Sequence, residues 1–98
     1  MEDIRLELNE HKRGKFYITE ADERLGLMDV GINNGRLVVY HTEVLPKAEG
    51  KGFAKKLLEA MVDYARKHQL KVLPLCPYVL AQFKRHPGLY EDIWEKIT

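Results

Sequence analysis

The chain has 98 residues, of which 45% are hydrophobic and 32% charged, and its formal net charge is +1. These proportions are those of a soluble globular domain, and the length leaves no room for a second core, so we expect one domain over residues 1–98. A net charge this small provides no general attraction to nucleic acid or to a membrane surface, and we expect neither as a partner.

The cysteine content and the ends of the chain predict a cytoplasmic location. The first residues are too polar for a secretory signal, and no apolar run is long enough to cross a membrane. A single cysteine, Cys76, excludes an intrachain disulfide and is typical of a reducing compartment. No Cys/His spacing predicts a metal site. We therefore expect a cytoplasmic monomer without a bound metal.

The first half of the chain predicts four consecutive strands. Alternating, β-branched or aromatic residues mark residues 4–8, 15–19, 25–32 and 36–44. The Asn-Asn-Gly at residues 33–35 is a strong hairpin signal, because Asn and Gly accept positive φ. Short turns between all four segments predict an antiparallel meander.

The second half of the chain changes to helical spacing. Apolar residues recur every three or four positions up to about His68, notably Phe53, Leu57, Met61 and Tyr64. A fifth strand at residues 71–75 follows, and the strand–helix–strand order makes it parallel to the fourth. A short helix is predicted from Pro77 to about Arg85, and a last helical turn or short helix at residues 90–94, with Trp94 packed on the sheet. The predicted class is α+β, a mixed five-stranded sheet with two to three helices.

The turn between the fourth strand and the long helix contains Gly50 and Gly52. Free N–H groups and the positive end of the helix dipole make such a turn suitable for an anion, above all a phosphate. The spacing matches neither Gly-x-x-x-x-Gly-Lys-Ser/Thr nor Gly-x-Gly-x-x-Gly, the two common nucleotide loops. The segment thus predicts a phosphate site of another kind.

Residues 49–54 resemble the Gln/Arg-x-x-Gly-x-Gly/Ala loop of the GNAT superfamily, the acyl-CoA-dependent N-acetyltransferases. Gly52 and Ala54 match the two small positions. Glu49 departs from the usual Gln or Arg, and we expect its carboxylate to point to solvent. Three further segments resemble the short GNAT-like proteins that lack the first two helices of the family. They are His-Thr-Glu-Val at 41–44, Leu-Cys-Pro-Tyr at 75–78 and His-Pro at 86–87. Together with the loop they extend the resemblance over residues 4–94.

The resemblance implies a minimal GNAT-like fold that binds acetyl-CoA or coenzyme A. In that family the amides of the loop hold the pyrophosphate, and the fourth and fifth strands splay into a V that holds the pantetheine arm. Pro74 fits such a splay and fits an edge strand equally well. The implied cofactor-binding residues are Val44, Glu49, Gly50, Lys51, Gly52, Phe53, Ala54, Lys55, Cys76, Tyr78 and Phe83. Three lysines are either ligands of the 3′-phosphate or ordinary surface residues: Lys51, Lys55 and Lys56.

His41, Glu43 and Cys76 are the candidate catalytic residues. His41 and Glu43 are two apart on a strand and project from one face, so either could take the proton of an acceptor amine. Each could equally be structural, as a histidine bonded to a backbone carbonyl or as a solvated carboxylate. Cys76 precedes a helix, where a thiolate is favoured, or is a small buried hydrophobe.

The usual general acid of the family has no counterpart at its expected position. In larger GNAT enzymes a tyrosine seven residues beyond the place of Cys76 protonates the departing thiolate, and here that residue is Phe83. Tyr78 and Cys76 are the alternatives. Three functions stay open: an N-acetyltransferase acting on a protein lysine or a small amine, a non-catalytic coenzyme A-binding regulatory module, and a site for some other anion.

Overall fold

The computed structural model describes residues 2–96. Its strands are β1 Glu2–Leu8, β2 Arg13–Glu20, β3 Glu23–Asn33, β4 Arg36–Val44 and β5 Lys71–Pro74, and its helices are α1 Phe53–Lys67, α2 Pro77–Arg85 and α3 Pro87–Tyr90. A 3-10 turn, Pro46–Ala48, precedes α1. The strands form one sheet in chain order, antiparallel from β1 to β4, with β4 and β5 parallel. The predicted class, meander and parallel pair are confirmed.

The β3–β4 hairpin has the two-residue turn that the sequence predicts. Asn34 and Gly35 have φ values of 52° and 75°, and Asn33 pairs with Arg36 across the turn. Positive φ at both central residues gives a turn whose twist matches that of the strands, which is why Asn-Gly is favoured there.

One face of the sheet carries the core and is covered by α1 and α2. The register places Phe16 opposite Met28 and Met28 opposite Thr42, so these three share a face. Phe16 meets Tyr64 of α1 edge to face, with ring centroids 5.9 Å apart. We call this the core face and the opposite one the open face. The apolar stripe predicted for α1 is confirmed: the buried residues of the helix are Phe53, Leu57, Leu58, Met61, Val62 and Ala65.

A bulge in β4 reverses which residues meet the core. Asp29 pairs with His41 but Val30 pairs with Val39, so Tyr40 is an additional residue on β4. Strict alternation from the buried Val39 would turn His41 toward the core. Because of the bulge, Thr42 lies on the core face instead, and His41 and Glu43 lie on the open face. No residue preference in the sequence predicts this bulge.

β4 and β5 pair over only four residues and then part. The last pair is Val39 with Pro74, while β4 continues to Val44. The ladder ends because the Leu75 N–H, which would be the next donor to β4, donates to the Leu73 carbonyl at 3.2 Å instead. The N–H that Pro74 lacks would point to the outer side of β5, as that of Val72 does, and β5 is the last strand of the sheet, so the interpretation of Pro74 as an edge-strand residue fits the structure. The strands leave an opening beside residues 42–44, which we call the V.

The last helix lies earlier than residues 90–94. It occupies Pro87–Tyr90, because Pro87 can start a helix at its first position immediately after α2 ends. Residues 90–94 form the helical turn that is the other prediction for them, since the N–H groups of Ile93 and Trp94 donate to the Tyr90 carbonyl at 3.0 and 2.8 Å. Trp94 also forms an isolated parallel bridge with Val72 of β5. No helix among residues 2–96 is long and apolar enough to cross a membrane.

An electrostatic clamp ties the segment after α3 to α1. The Arg66 guanidinium donates to both carboxylate oxygens of Asp92, at 3.0 and 3.2 Å, and to the Leu89 carbonyl at 2.6 Å. The Lys71 ammonium donates to the Asp92 carbonyl at 2.7 Å. The hydrogen bond from Arg66 is the main cause that lowers the pKa of Asp92 below its ordinary value of 3.8.

This clamp predicts a pH-dependent part of the stability. Because the pKa of Asp92 is lower in the folded state, its contribution is complete above the unfolded value and is lost as the pH falls through the folded value. The free energy of unfolding of Arg66→Gln, measured in urea, should lie further below wild type at pH 7 than at pH 3. Arg85→Gln, which alters a last-turn arginine of α2, is the control and should show no such change. Equal differences at both pH values for Arg66→Gln would contradict the clamp.

Candidate functional site

The loop before α1 has the backbone of a phosphate site. Gly50 and Gly52 have φ values of 86° and 75°, and Gly52 is the N-cap of α1. A Cβ at either position would meet nothing within 4 Å. The left-handed backbone, rather than crowding within the chain, therefore selects glycine here, and the same open space lets a ligand approach the main chain.

Several N–H groups of this loop are available to a ligand. The first hydrogen bond of α1 runs from the Lys56 N–H to the Gly52 carbonyl at 3.1 Å. Within residues 2–96, five preceding N–H groups donate to no protein acceptor: those of Gly50, Gly52, Phe53, Ala54 and Lys55. The last three belong to the first turn of a fifteen-residue helix, where the helix dipole favours a negative charge.

The charged side chains around the loop differ in how they are paired. Lys51 bonds the Glu20 carboxylate at 3.0 Å, and Lys56 pairs with Glu2. Lys55 forms no salt bridge with another described residue, which leaves its ammonium available to an incoming anion. Glu49 is exposed, as expected for a carboxylate that has to keep away from a phosphate.

The free edge of β4 forms one wall of the V. The Leu45 N–H donates to the Leu25 carbonyl at 2.8 Å, so by alternation the N–H and C=O groups of Thr42 and Val44 point away from β3. The last link across the V is the bond from the Cys76 N–H to the Val39 carbonyl, at 2.9 Å. Beyond it the main chain of β4 has unpaired groups that an extended ligand could bind.

Cys76 and Tyr78 lie where α2 begins, shortly after the end of β5. Cys76 is the N-cap of α2, is 2% exposed, and its Sγ lies 3.3 Å from Oγ1 of Thr42. Tyr78 is half-buried, and this burial is the main cause that raises the pKa of its hydroxyl, with the nearby Tyr90, Cys76 and Glu59 adding to the effect. Tyr78 therefore keeps its proton at neutral pH.

His41 and Glu43 form a pair on the open face. His41 Nε2 lies 3.0 Å from Glu43 Oε1, and the two side chains are 59% and 53% exposed. The carboxylate can orient the ring and leaves Nδ1 free to accept a proton. The structure brings these two residues together but places them across the sheet from Cys76, which points to the core face. The three candidate catalytic residues therefore do not converge on one cleft.

Phe83 lies inside the core instead of lining the V. It is completely buried, stacks on Tyr90 with centroids 4.6 Å apart, and meets Trp94 edge-on at 5.7 Å. Thr42, which joins β4 to Cys76, was missed by the sequence analysis. The only signal for it in the sequence is a polar residue near the end of the fourth predicted strand.

Comparison with known proteins identifies the family. Residues 15–93 match the family model described as GCN5-related N-acetyl-transferase. No curated protein matches the chain. Among solved structures, a GCN5-like putative N-acetyltransferase from Staphylococcus aureus is 26% identical, with a TM-score of 0.69 over 96% of this chain and 90% of that one.

Two further structures share the fold at lower identity. AAC(6')-Iy, solved in complex with the bisubstrate analog CoA-S-monomethyl-acetylneamine, is 16% identical with a TM-score of 0.62, over 100% of this chain and 96% of that one. The ribosomal-protein-S18-alanine N-acetyltransferase from Escherichia coli is 15% identical with a TM-score of 0.61, over 65% of this chain and only 42% of its own length. With most of its length matched by the family model, the chain belongs to the GCN5-related N-acetyltransferase family.

Proposed function

We propose that the protein is an N-acetyltransferase that uses acetyl-CoA. The observation that carries this proposal is that, within residues 2–96, unpaired backbone groups occur both at the end of β4 and at the start of α1, with only residues 45–52 between them. One set is the N–H groups at the start of α1, and the other is the free edge of β4 at residues 42–44. A diphosphate attached to an extended chain with two amides is the kind of ligand that needs both.

The loop residues would hold the phosphates of the cosubstrate. The N–H groups of Gly50, Gly52 and the first turn of α1 would bind the pyrophosphate. Lys55 is the lysine we assign to the 3′-phosphate, because Lys51 and Lys56 already have carboxylate partners. The amides of the pantetheine arm would bond the edge of β4 at Thr42 and Val44, as an added strand does.

The side chains near the V supply the two proton transfers that acetyl transfer requires. The cosubstrate brings an acetyl thioester; a C–N bond forms, a C–S bond breaks, the amine loses a proton and the thiolate gains one. We assign the first proton to the His41–Glu43 pair, directly or through a water molecule. We assign the second to the Tyr78 hydroxyl, which remains protonated and lies at the start of α2. Phe83 cannot protonate the thiolate, because it has no hydroxyl group and its side chain is completely buried.

Cys76 then has a positioning role. Its amide closes the base of the V and its sulfur contacts Thr42, so it joins β4 to α2. A free thiol in this position also agrees with a reducing compartment, and we propose the cytoplasm.

The acceptor is an amine that reaches the open face. His41 and Glu43 are exposed there, so a protein lysine or a small amine could both approach them. One neighbour is named as a ribosomal-protein-S18-alanine N-acetyltransferase and another was solved with the bisubstrate analog CoA-S-monomethyl-acetylneamine, so no single acceptor is transferred from them. A non-catalytic coenzyme A-binding module is the second candidate, favoured by the burial of Phe83 at the position of the usual acid.

Coenzyme A should stabilise the fold through the loop. At 100 times its dissociation constant a ligand adds roughly 2.7 kcal/mol, which for about 100 residues raises the melting temperature by roughly 10 °C or more. Gly52→Glu should abolish the shift by filling the loop with a carboxylate. Gly35→Glu is the matched control, because its φ is also 75° and its Cβ position is also open, yet it lies in the β3–β4 hairpin. If millimolar coenzyme A left the melting temperature of the wild-type protein unchanged, the assignment of the loop to phosphate binding would be wrong.

Catalysis should depend on His41 and Tyr78, whereas the binding of coenzyme A should not depend on either residue. His41→Ala and Tyr78→Phe should each lower acetyl transfer to a panel of amines and lysine peptides by about 10²–10⁴-fold, the usual contribution of general acids and bases. Coenzyme A affinity should stay within a few-fold. Tyr64→Phe, which removes a half-buried hydroxyl on α1, is the control and should keep full activity.

Two outcomes of that experiment would change the assignment. If wild type binds acetyl-CoA but consumes it no faster than the uncatalysed rate with every acceptor, the binding module is the correct function. If Phe83→Tyr restores the activity of Tyr78→Phe, a hydroxyl at position 83 can reach the departing thiolate, and Phe83 lies at the V despite its burial.

Cys76 should be unreactive in the folded protein. Because the thiol is 2% exposed, iodoacetamide should modify it only when the structure opens. The alkylation rate, followed by mass spectrometry, should rise with urea in parallel with unfolding. Alkylation of the native protein as fast as a free thiol, with protection by coenzyme A, would instead place the sulfur in the V.

A further inference from the structure

A groove of about 470 Å³ lies beside β5, between this strand, α2 and the segment that follows α3. Its apolar walls include Leu73, Leu75, Leu80 and Trp94. Leu75 is 50% exposed, an unusual fraction for a leucine next to the core. The volume falls within the range of about 300–1,000 Å³ typical of small-molecule sites. None of the loop residues 49–55 and neither His41 nor Glu43 lines this groove, so it is separate from the proposed acetyl-CoA site.

The charges at the groove are predominantly positive. Lys84 and Lys96 line it, and neither forms a salt bridge with another described residue. The one carboxylate in its lining, that of Glu95, is paired with Arg36. The Lys96 ammonium lies 4.9 Å from the centre of the Trp94 ring, so one cation is held against the apolar wall. The groove thus combines an apolar surface with two positive charges that lack a described carboxylate partner.

The backbone along this side of β5 offers no donor to an added strand. The Val72 N–H donates to the Ile93 carbonyl at 2.6 Å, and the Val72 carbonyl accepts from the Glu95 N–H at 2.9 Å. Pro74 has no N–H, and the Leu75 N–H donates to the Leu73 carbonyl at 3.2 Å. An extended peptide therefore cannot pair with β5 here, and recognition must come from side chains.

We propose that this groove binds a small organic carboxylate with an apolar body, such as a medium-chain fatty acid. The body would lie on Leu73, Leu75 and Leu80, and the carboxylate would lie between the ammonium groups of Lys84 and Lys96. Charge complementarity fixes the sign of the ligand, and the closed backbone edge favours a small molecule over a peptide.

The test uses octanoate and its neutral counterpart, octanamide. Trp94 is the only tryptophan, so its fluorescence reports the groove directly. Octanoate should change the emission with saturation, and octanamide should bind about tenfold more weakly, the order expected for losing a charge-assisted hydrogen bond. The double variant Lys84→Gln/Lys96→Gln should lose about the same factor for octanoate and none for octanamide. Lys67→Gln, an exposed lysine outside the groove, is the matched control.

Several results would overturn this proposal. One is an emission that responds to neither compound, and another is equal affinity for both, which would indicate an apolar patch without a carboxylate site. A peptide with apolar and acidic side chains that binds where octanoate does not would assign the groove to a protein partner. A concentration-dependent dimer that Leu80→Asp makes monomeric, and that excludes octanoate, would assign it to a second copy of the chain.

Discussion

The early end of the pairing between β4 and β5 is the constraint on which the rest of the site depends. Four residue pairs join the strands, the Cys76 amide adds one more bond to Val39, and the Leu75 N–H donates to the Leu73 carbonyl instead of continuing the ladder. A buried main-chain group without a partner costs about 1–3 kcal/mol, so the groups of Thr42 and Val44 must face solvent or a ligand. The V is the arrangement that leaves them accessible.

The first part of β4 packs in the core, and its second part carries the polar residues of the candidate site. Up to Val39 it is a core strand with buried alternate residues, and at Tyr40 the bulge exchanges its two faces. From there the polar pair His41 and Glu43 lies on the open face, while Thr42 contacts Cys76 on the other. Without the additional residue the imidazole would have to enter a core made of Met28 and Val39, where an unpaired polar group is unfavourable.

The sequence predicts most of the scaffold because its signals are local. The turn at Asn34 and Gly35, the apolar stripe of α1 and the glycine loop each follow from the conformational needs of a few neighbouring residues. The bulge at Tyr40 could not be predicted, because it depends on how β4 pairs with β3 rather than on any residue preference. The position of Trp94 depends in the same way on a long-range contact, with Val72.

The candidate site was predictable in part for the same reason. The loop is contiguous in sequence, so residues 49–55 could be named together. The burial of Phe83 against Tyr90 and Trp94 arises from the packing of three separate segments, and counting from Cys76 alone could not show it. The sequence offers Tyr78 and Cys76 equally as alternative acids, and the structure favours Tyr78 because its half-buried hydroxyl has a raised pKa while Cys76 is buried against Thr42.

The central claim is that one ligand spans the loop and the free edge of β4, and amide chemical shifts measured by NMR test it most directly. On titration with coenzyme A, the N–H resonances of Gly50, Gly52, Phe53, Ala54 and Lys55 should shift together with those of Thr42 and Val44, while the hairpin residues Asn34 and Gly35 should not move. Shifts confined to the loop would leave an anion site without the V, and shifts in neither region would contradict the account.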